Sequence, residues 1–376
     1  MVKFLDLHAQ YLSLKADIDA AIARTIAQSS FIGGPDVAAF EEEFARFQDA
    51  EHCIGVGNGT DAIEIAIEAL GLPPGSEILV PANSFIASSE AITRSGHRVV
   101  FCDADSGTYG LDLADAAARI SPRTAAIMAV HLYGQPCEMD GLLALAKAHG
   151  LRVIEDAAQA HGANYKGRRV GAIGDIGTFS FYPGKNLGAY GDAGAIVTND
   201  AELARKCRMI ANHGRIGKYD HEFEGRNSRF DGLQAAILRA KLPHLDGWVD
   251  RRNEVARRYL DGLHDVPGLV LPQVSNDVRH AFHLFVVRCA ARDLLQTHLK
   301  DAGIQTGIHY PIALPDLAAY DYLRGDHTPG RASQLASQLL SLPIGEHLTE
   351  QDVDSVIGTV RSFFAQAEAS ASAVSA

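Results

Sequence analysis

The chain has 376 residues, 47% hydrophobic and 21% charged, an ordinary globular composition long enough for two domains or one large domain with an appendage. A formal net charge of −12 argues against a nucleic-acid or anionic-membrane surface as the main partner, although local basic or backbone-amide sites can still take an anion. The five cysteines are scattered, with no CxxC pair and no His/Cys cluster at zinc spacing, so they read as reduced thiols and no metal site is expected.

The N-terminal stretch Met1–His8 meets charge too early for a signal-peptide core. No run approaches the roughly 18 apolar residues of a membrane span, and the expectation is a soluble cytoplasmic protein. Leu14, Ile18, Ile22 and Ile26 recur at four-residue spacing and predict an amphipathic helix over 11–29. Phe31-Ile32-Gly33-Gly34-Pro35 breaks that pattern. A second helix then sets Val37, Phe40, Phe44 and Phe47 on one face, opposite Glu41-Glu42-Glu43, which reads as a solvated face.

From residue 53 short apolar runs alternate with helical patterns. Strands are predicted at 77–81, 98–102, 124–130, 151–155, 177–182 and 194–198, with helices near 60–70, 84–95, 112–119 and 140–149. This alternation implies right-handed βαβ crossovers, hence an α/β fold whose mostly parallel sheet is covered on both faces. Ligands collect at the carboxyl ends of such strands. After a helix near 231–242 the pattern changes. Asp246–Leu263 reads as one long charged helix leading to a strand at 282–288, a helix near 292–302 and two closing helices near 331–340 and 349–365. The expected division is a large domain over 1–245 and a smaller α+β domain over 246–376, ending in an Ala/Ser/Val tail from Ala367 that should fray.

Three stretches could carry chemistry. In Gly55-Val56-Gly57-Asn58-Gly59-Thr60-Asp61, glycines precede Thr60, a good N-cap, and a helix whose face carries Ile63, Ala66, Ile67 and Leu70. Free amides at a helix start hold an anion well, and glycine lets a phosphate approach closely; the same residues also suit a plain tight turn. The run lacks the lysine of a P-loop and the spacing of a dinucleotide fingerprint. In Leu151-Arg152-Val153-Ile154-Glu155-Asp156, an apolar strand ends in two carboxylates that point to opposite faces. Asp156, at the strand end, either holds a heterocyclic nitrogen protonated or caps the following turn, while Glu155 reads as structural. In Phe179-Ser180-Phe181-Tyr182-Pro183-Gly184-Lys185-Asn186-Leu187-Gly188, Lys185 follows a Pro-Gly turn, and Ser180 is either a satisfied core hydroxyl or a phosphate contact. An exposed loop lysine is the bland reading. Its place after an anion cradle and a strand-end aspartate favours the functional one. An amine, a pyridinium-pairing carboxylate and a phosphate cradle are what pyridoxal 5′-phosphate (PLP) held as a lysine Schiff base requires.

These blocks, with Ala157-Ala158-Gln159-Ala160-His161-Gly162 and Gly225-Arg226-Asn227-Ser228-Arg229-Phe230-Asp231, resemble the signatures of the DegT/StrS-type nucleotide-sugar aminotransferases, in order from about Phe4 to Asp352. The resemblance implies the aspartate-aminotransferase (fold type I) architecture and a homodimer with shared active sites. It gives Lys185 the Schiff base and the proton transfers, Asp156 the pyridine nitrogen, and Gln159 the ring oxygen. Gly59, Thr60 and Ser180 would hold the phosphate and Phe85, which by position alone reads as core, would stack on the ring. Asn227 would reach the neighbouring subunit's cofactor. His309 and Tyr310 would face the sugar, although such a pair also suits a structural role. The implied reaction is transamination from L-glutamate to a nucleotide-linked keto-sugar. The blocks around His161 and His213-Gly214 look closest to enzymes aminating C3 of dTDP-3-keto-6-deoxyhexoses; C4-aminating relatives and UDP- or GDP-sugar enzymes stay open. A dehydrating sibling branch has histidine at the lysine position, and Lys185 argues against it. The alternative of another class is a non-catalytic ligand-sensing regulator on the same fold, and a DNA-binding version lacks a basic patch or helix-turn-helix.

Overall fold

Short β-rich runs separated by helices assemble into one sheet. The structure, a computed structural model, describes residues 1–323 and 330–374, with only the backbone of 367–374. The strands in chain order are β1 (His52–Val56), β2 (Glu77–Pro81), β3 (Arg98–Cys102), β4 (Thr124–Val130), β5 (Arg152–Asp156), β6 (Asn164–Tyr165), β7 (Arg168–Arg169), β8 (Ile176–Ser180) and β9 (Gly194–Thr198). Seven of them form a sheet of order β1-β9-β8-β5-β4-β2-β3. Only β9 runs against the others, pairing antiparallel with β1 and β8, so the sheet is mostly parallel as expected.

Helices Gly59–Ala69, Ala87–Arg94 and Ala201–Ala211 bury one apolar layer against the sheet. Helices Pro35–Phe47, Leu113–Arg119, Met139–His149 and Gly232–Lys241 cover the other. On that second face Phe40 meets Phe181 edge-on at 5.3 Å, and Phe44 meets Phe179 at 5.1 Å. Each such ring, fully buried, contributes about 1.5–3 kcal/mol, which ties Pro35–Phe47 to β8 and the turn beyond it.

The chain continues through helix Leu245–Leu263, β10 (Val278–Arg279), β11 (Phe285–Arg288), helix Arg292–Asp301, helix Arg331–Ala336, β12 (Leu339–Leu342) and helix Glu350–Val374. β10 joins β6 and β7 in a small sheet, and β11 pairs with β12 over a separate core that includes Tyr259, Leu295 and Val356. No helix of the described residues is long and apolar enough to cross a membrane.

The sequence-based boundaries need several corrections. The 11–29 segment is two helices, Leu7–Ser13 and Lys15–Gln28, parted at Leu14. Instead of a helix over 331–340, a short helix gives way to β12, whose apolar run Leu339-Leu340-Ser341-Leu342 pairs with β11. β1 and helix Ala201–Ala211 were not anticipated, and the tail stays helical to Val374, with 375 and 376 outside the described residues.

Glu155, fully buried, accepts hydrogen bonds from the amides of Gly171, Ile173 and Gly174 at 2.6–2.7 Å and from His131 Nε2 at 2.9 Å. His131 Nδ1 accepts from the Cys137 amide, so the ring carries its hydrogen on Nε2. These donors hold the Glu155 carboxyl below its ordinary pKa against the opposing effect of burial. Glu155→Ala strands all four donors and should cost more than about 3 kcal/mol in urea unfolding of the cofactor-free protein; a loss under about 1 kcal/mol would remove this role.

Candidate active site

The carboxyl ends of five strands converge. β1 leads into Asn58–Asp61, β2 into Ser84 and Phe85, β4 into Val130–Leu132, β5 into Asp156, Ala158 and Gln159, and β8 into Ser180, Tyr182 and Lys185. All line one cavity of about 900 Å³. Its remaining walls include His283, Leu284, His309 and Tyr310, with Phe4 and Leu5 from the N-terminus.

Lys185 is presented by a turn closed at both levels. Its amide donates to Tyr182 O at 2.8 Å, and the Ala189 amide donates to Phe181 O at 2.8 Å. A Cβ on Gly188 would lie 2.2 Å from Pro183 O, so only glycine lets the two limbs approach this closely. Lys241, itself buried, donates from Nζ to Gly188 O at 2.7 Å and steadies the turn from below.

Lys185 is half-buried in the cavity lining, with its amine withdrawn from bulk water. Burial draws that amine down to about 8, against the opposing charge of Asp156. Three imidazoles nearby are neutral: burial, reinforced by the Lys185 charge, lowers His161 to about 3 and His309 to about 4, and holds His283 well below its ordinary value. Asp156 is buried, with Oδ1 accepting from the Ala158 amide at 3.1 Å and Oδ2 from Ser88 Oγ at 2.7 Å. Lys185 and Asp156 therefore line the cavity together with the neutral imidazoles of His283 and His309.

At the start of helix Gly59–Ala69 the cap is Asn58, whose side chain accepts from the Asp61 amide at 2.8 Å, and not Thr60 as the sequence suggested. Gly59 and Thr60 fall in the first turn, where amides have no carbonyl of their own helix to bond. A Cβ on Gly59 would lie 2.6 Å from Ser180 Cβ, so the cradle closes only around glycine.

Of the residues singled out from sequence, Lys185, Asp156, Gly59, Thr60, Phe85, Gln159, Ser180, His309 and Tyr310 share this cavity. Phe85 is 53% exposed and tilted against Tyr310 with ring centroids 5.7 Å apart, which removes the core reading. Gln159 Oε1 accepts from the Tyr133 amide at 2.7 Å, and its Nε2 donates to Tyr310 Oη at 3.1 Å. Asn227 lies outside the cavity, exposed, with Oδ1 accepting from Arg229 Nε at 3.0 Å. Sequence reading missed Ser84, Ser88, His131 and His283, and also Phe4 and Leu5. His131 follows the end of β4 and obeys the same strand-end rule that picked out Asp156. Phe4 and Leu5 gave no local signal. The described residues hold no cluster of three or more His, Cys, Asp or Glu able to bind a metal.

The donor set suits PLP: an enclosed amine of lowered pKa, a buried carboxylate able to face a ring nitrogen, first-turn amides, and a cradle that a Cβ on Gly59 would fill. A mixed sheet with the amine on a turn past its carboxyl edge defines a fold-type-I aminotransferase-like protein.

The DegT/DnrJ/EryC1/StrS aminotransferase family model matches residues 13–361, and the chain belongs to this PLP-dependent family of aminotransferases. It is 48% identical over 364 residues to the erythromycin biosynthesis sensory transduction protein EryC1 of Saccharopolyspora erythraea, covering 96% of this chain and 99% of that one. It is 46% identical over 366 residues to dTDP-3-amino-3,4,6-trideoxy-alpha-D-glucose transaminase of Streptomyces venezuelae, covering 96% of each. Its fold superposes on the crystal structure of S. venezuelae DesV in complex with a ketimine intermediate, with a TM-score of 0.93 and 46% identity, covering 96% of this chain and 98% of that one.

The lowered Lys185 pKa has a signed consequence. Between about 8 and the ordinary 10.5 the unfolded state binds a proton here that the folded state does not, so this group's contribution to stability rises with pH through that window. Capture of PLP by Lys185 in the cofactor-free protein should accelerate with pH about a midpoint near 8; a midpoint above 10 would place the amine in open water.

Proposed function

We propose that the protein is a cytoplasmic homodimeric aminotransferase that moves an amino group from L-glutamate to C3 of a dTDP-linked 3-keto-6-deoxyhexose. The observation that carries the reading is the enclosed Lys185 amine within the field of buried Asp156, in a cavity with its own anion cradle. When bound, PLP supplies an electron sink for charge developing at the substrate carbon.

The chain's residues do the remainder. Lys185 is a general acid/base whose pKa of about 8 leaves part of its population unprotonated near neutrality, so it can take a proton from the carbon that loses nitrogen and return one to the carbon that gains it. Asp156, with a donor on each oxygen, presents negative charge to the ring nitrogen and favours its protonated form. Gly59, Thr60 and Ser180 hold the phosphate, Gln159 the ring oxygen and Phe85 the ring face. His309 and Tyr310, the latter beside Gln159 and Phe85, meet the sugar. The neutrality of His309 suits a hydrogen-bonding role toward it.

Asn227 is exposed beside Ser228, whose Oγ donates to Asp61 Oδ2 at 2.6 Å at the cradle's own helix. That exposure supports a contact made to a second copy's cofactor. The transaminase named among the relatives supports the dTDP carrier and C3, with C4 amination and UDP- or GDP-sugars as the alternatives. The sensory-transduction name of the other relative keeps a regulator in view, and an enclosed lysine of lowered pKa is a feature a non-catalytic sensor does not need.

Purified protein should show a visible band from lysine-bound PLP that shifts on adding L-glutamate, and should aminate a dTDP-3-keto-6-deoxyhexose within a panel of nucleotide-linked keto-sugars. Lys185→Ala should lower turnover by at least about 10³-fold. A colourless protein unable to take up PLP, or wild-type turnover by that variant, would falsify the reading.

A further inference from the structure

Ser88 and Ser84 line the cavity, yet neither has a part in the chemistry above. Ser88 stands at the start of helix Ala87–Arg94, which follows β2, and Ser84 lies four residues earlier in the β2 loop. Ser88 Oγ is 2.7 Å from Asp156 Oδ2, and Ser84 Oγ is 2.7 Å from Ser88 Oγ. All three residues are buried.

The hydrogen-bond inventory fixes the direction of this chain. An ionised carboxylate has no hydrogen to give, so the Ser88 hydroxyl donates to Oδ2. With its one hydrogen committed, Ser88 can only accept in its second contact, so Ser84 donates to Ser88. The result is a one-way relay in which each bond polarises the next. It also reaches across the sheet, because β4 lies between β2 and β5. β4 contributes too: the His131 amide donates to the Asp156 main-chain oxygen at 3.0 Å.

We propose that Ser88, backed by Ser84, is a positioning residue for Asp156: it fixes the carboxylate's rotation and stabilises its charge, and thereby sets how tightly the ring nitrogen of PLP is paired. The proposal rests on the PLP-site reading above and deepens it. Oδ1 is held by the Ala158 amide of the carboxylate's own turn, whereas among the described residues the only side-chain donor on Oδ2 comes from a different strand loop. Losing that donor frees the carboxylate to turn about its χ2 axis and leaves one of its oxygens buried with a bond unmade.

The test compares PLP dissociation constants, by equilibrium dialysis, for wild type, Ser88→Ala, Ser84→Ala and Ser89→Ala. Ser89 is the control, because it is buried on the same helix but its Oγ serves Ile86 O and Tyr320 outside the cavity. Ser88→Ala should bind PLP about tenfold more weakly and Ser84→Ala about threefold, the loss of a hydrogen bond to a charged group and of its backing. Ser89→Ala should match wild type. In the loaded enzyme Ser88→Ala should lower kcat while leaving KM for glutamate unchanged, and Ser88→Thr, which keeps the hydroxyl, should recover both kcat and affinity. Wild-type affinity in a folded Ser88→Ala, or an equal loss in Ser89→Ala, would overturn the relay. A wild-type protein that binds no PLP would overturn the functional reading itself.

Discussion

The site depends on an amine that is half denied its charge. Burial works against the Lys185 ammonium and the Asp156 carboxylate works for it, and the balance falls near 8. That balance holds only while the other titratable neighbours stay silent. His161, His283 and His309 are all neutral, so none of these three competes as a cation with the lysine for Asp156. A site with the same residues in a wetter setting would hold a fully charged lysine and a poor nucleophile.

The fold supplies the geometry that this balance needs. Strand ends give fixed starting points, because their positions are set by pairing on both sides. The edge-to-face rings of Phe40, Phe44, Phe179 and Phe181 press β8 against helix Pro35–Phe47, so the turn that carries Lys185 starts from an immobile base. Gly188 then lets the turn fold onto itself, and Lys241 grips it from the far side. Lysine's own four-carbon stem remains as the main freedom.

What could be read from sequence was what announces itself locally. The strands at 77–81, 98–102, 124–130 and 194–198 match the observed limits because each is a short apolar run bounded by turn residues. The glycine-led helix, the strand-end aspartate and the lysine turn were legible for the same reason. The run 339–342 was not, since three leucines and a serine after a helix carry no period that separates strand from helix. Helix Ala201–Ala211 was overlooked although Asp200 caps it and Leu203, Cys207 and Ile210 share a face. Ser88, His283 and Phe4 reach the cavity only through tertiary folding, and the family resemblance, rather than any spacing, drew attention to Phe85 and Gln159. Asn227 falls outside the cavity of its own chain, so its proposed role rests on a second copy.

Glu155 and Asp156 are chemically near twins set one residue apart, and the sheet alone distinguishes them. One faces inward to hold backbone amides and the other meets the cavity. β5 is clamped in register by β4 and β8, with Asp156 opposite Val130 on one side and Thr178 on the other. A one-residue slip in this strand could carry Glu155 into the place of Asp156 and Ile154 into the place of Glu155, without changing composition, hydrophobicity or net charge. The protein would still display an acid toward the cavity, but one a methylene longer, while the amides of the loop at 171–174 would be offered an isoleucine that cannot accept from them. Insertions and deletions near residue 150 are thus a more searching challenge to this enzyme than most substitutions, because they leave one of the two tasks without an acid while keeping every required residue in the chain.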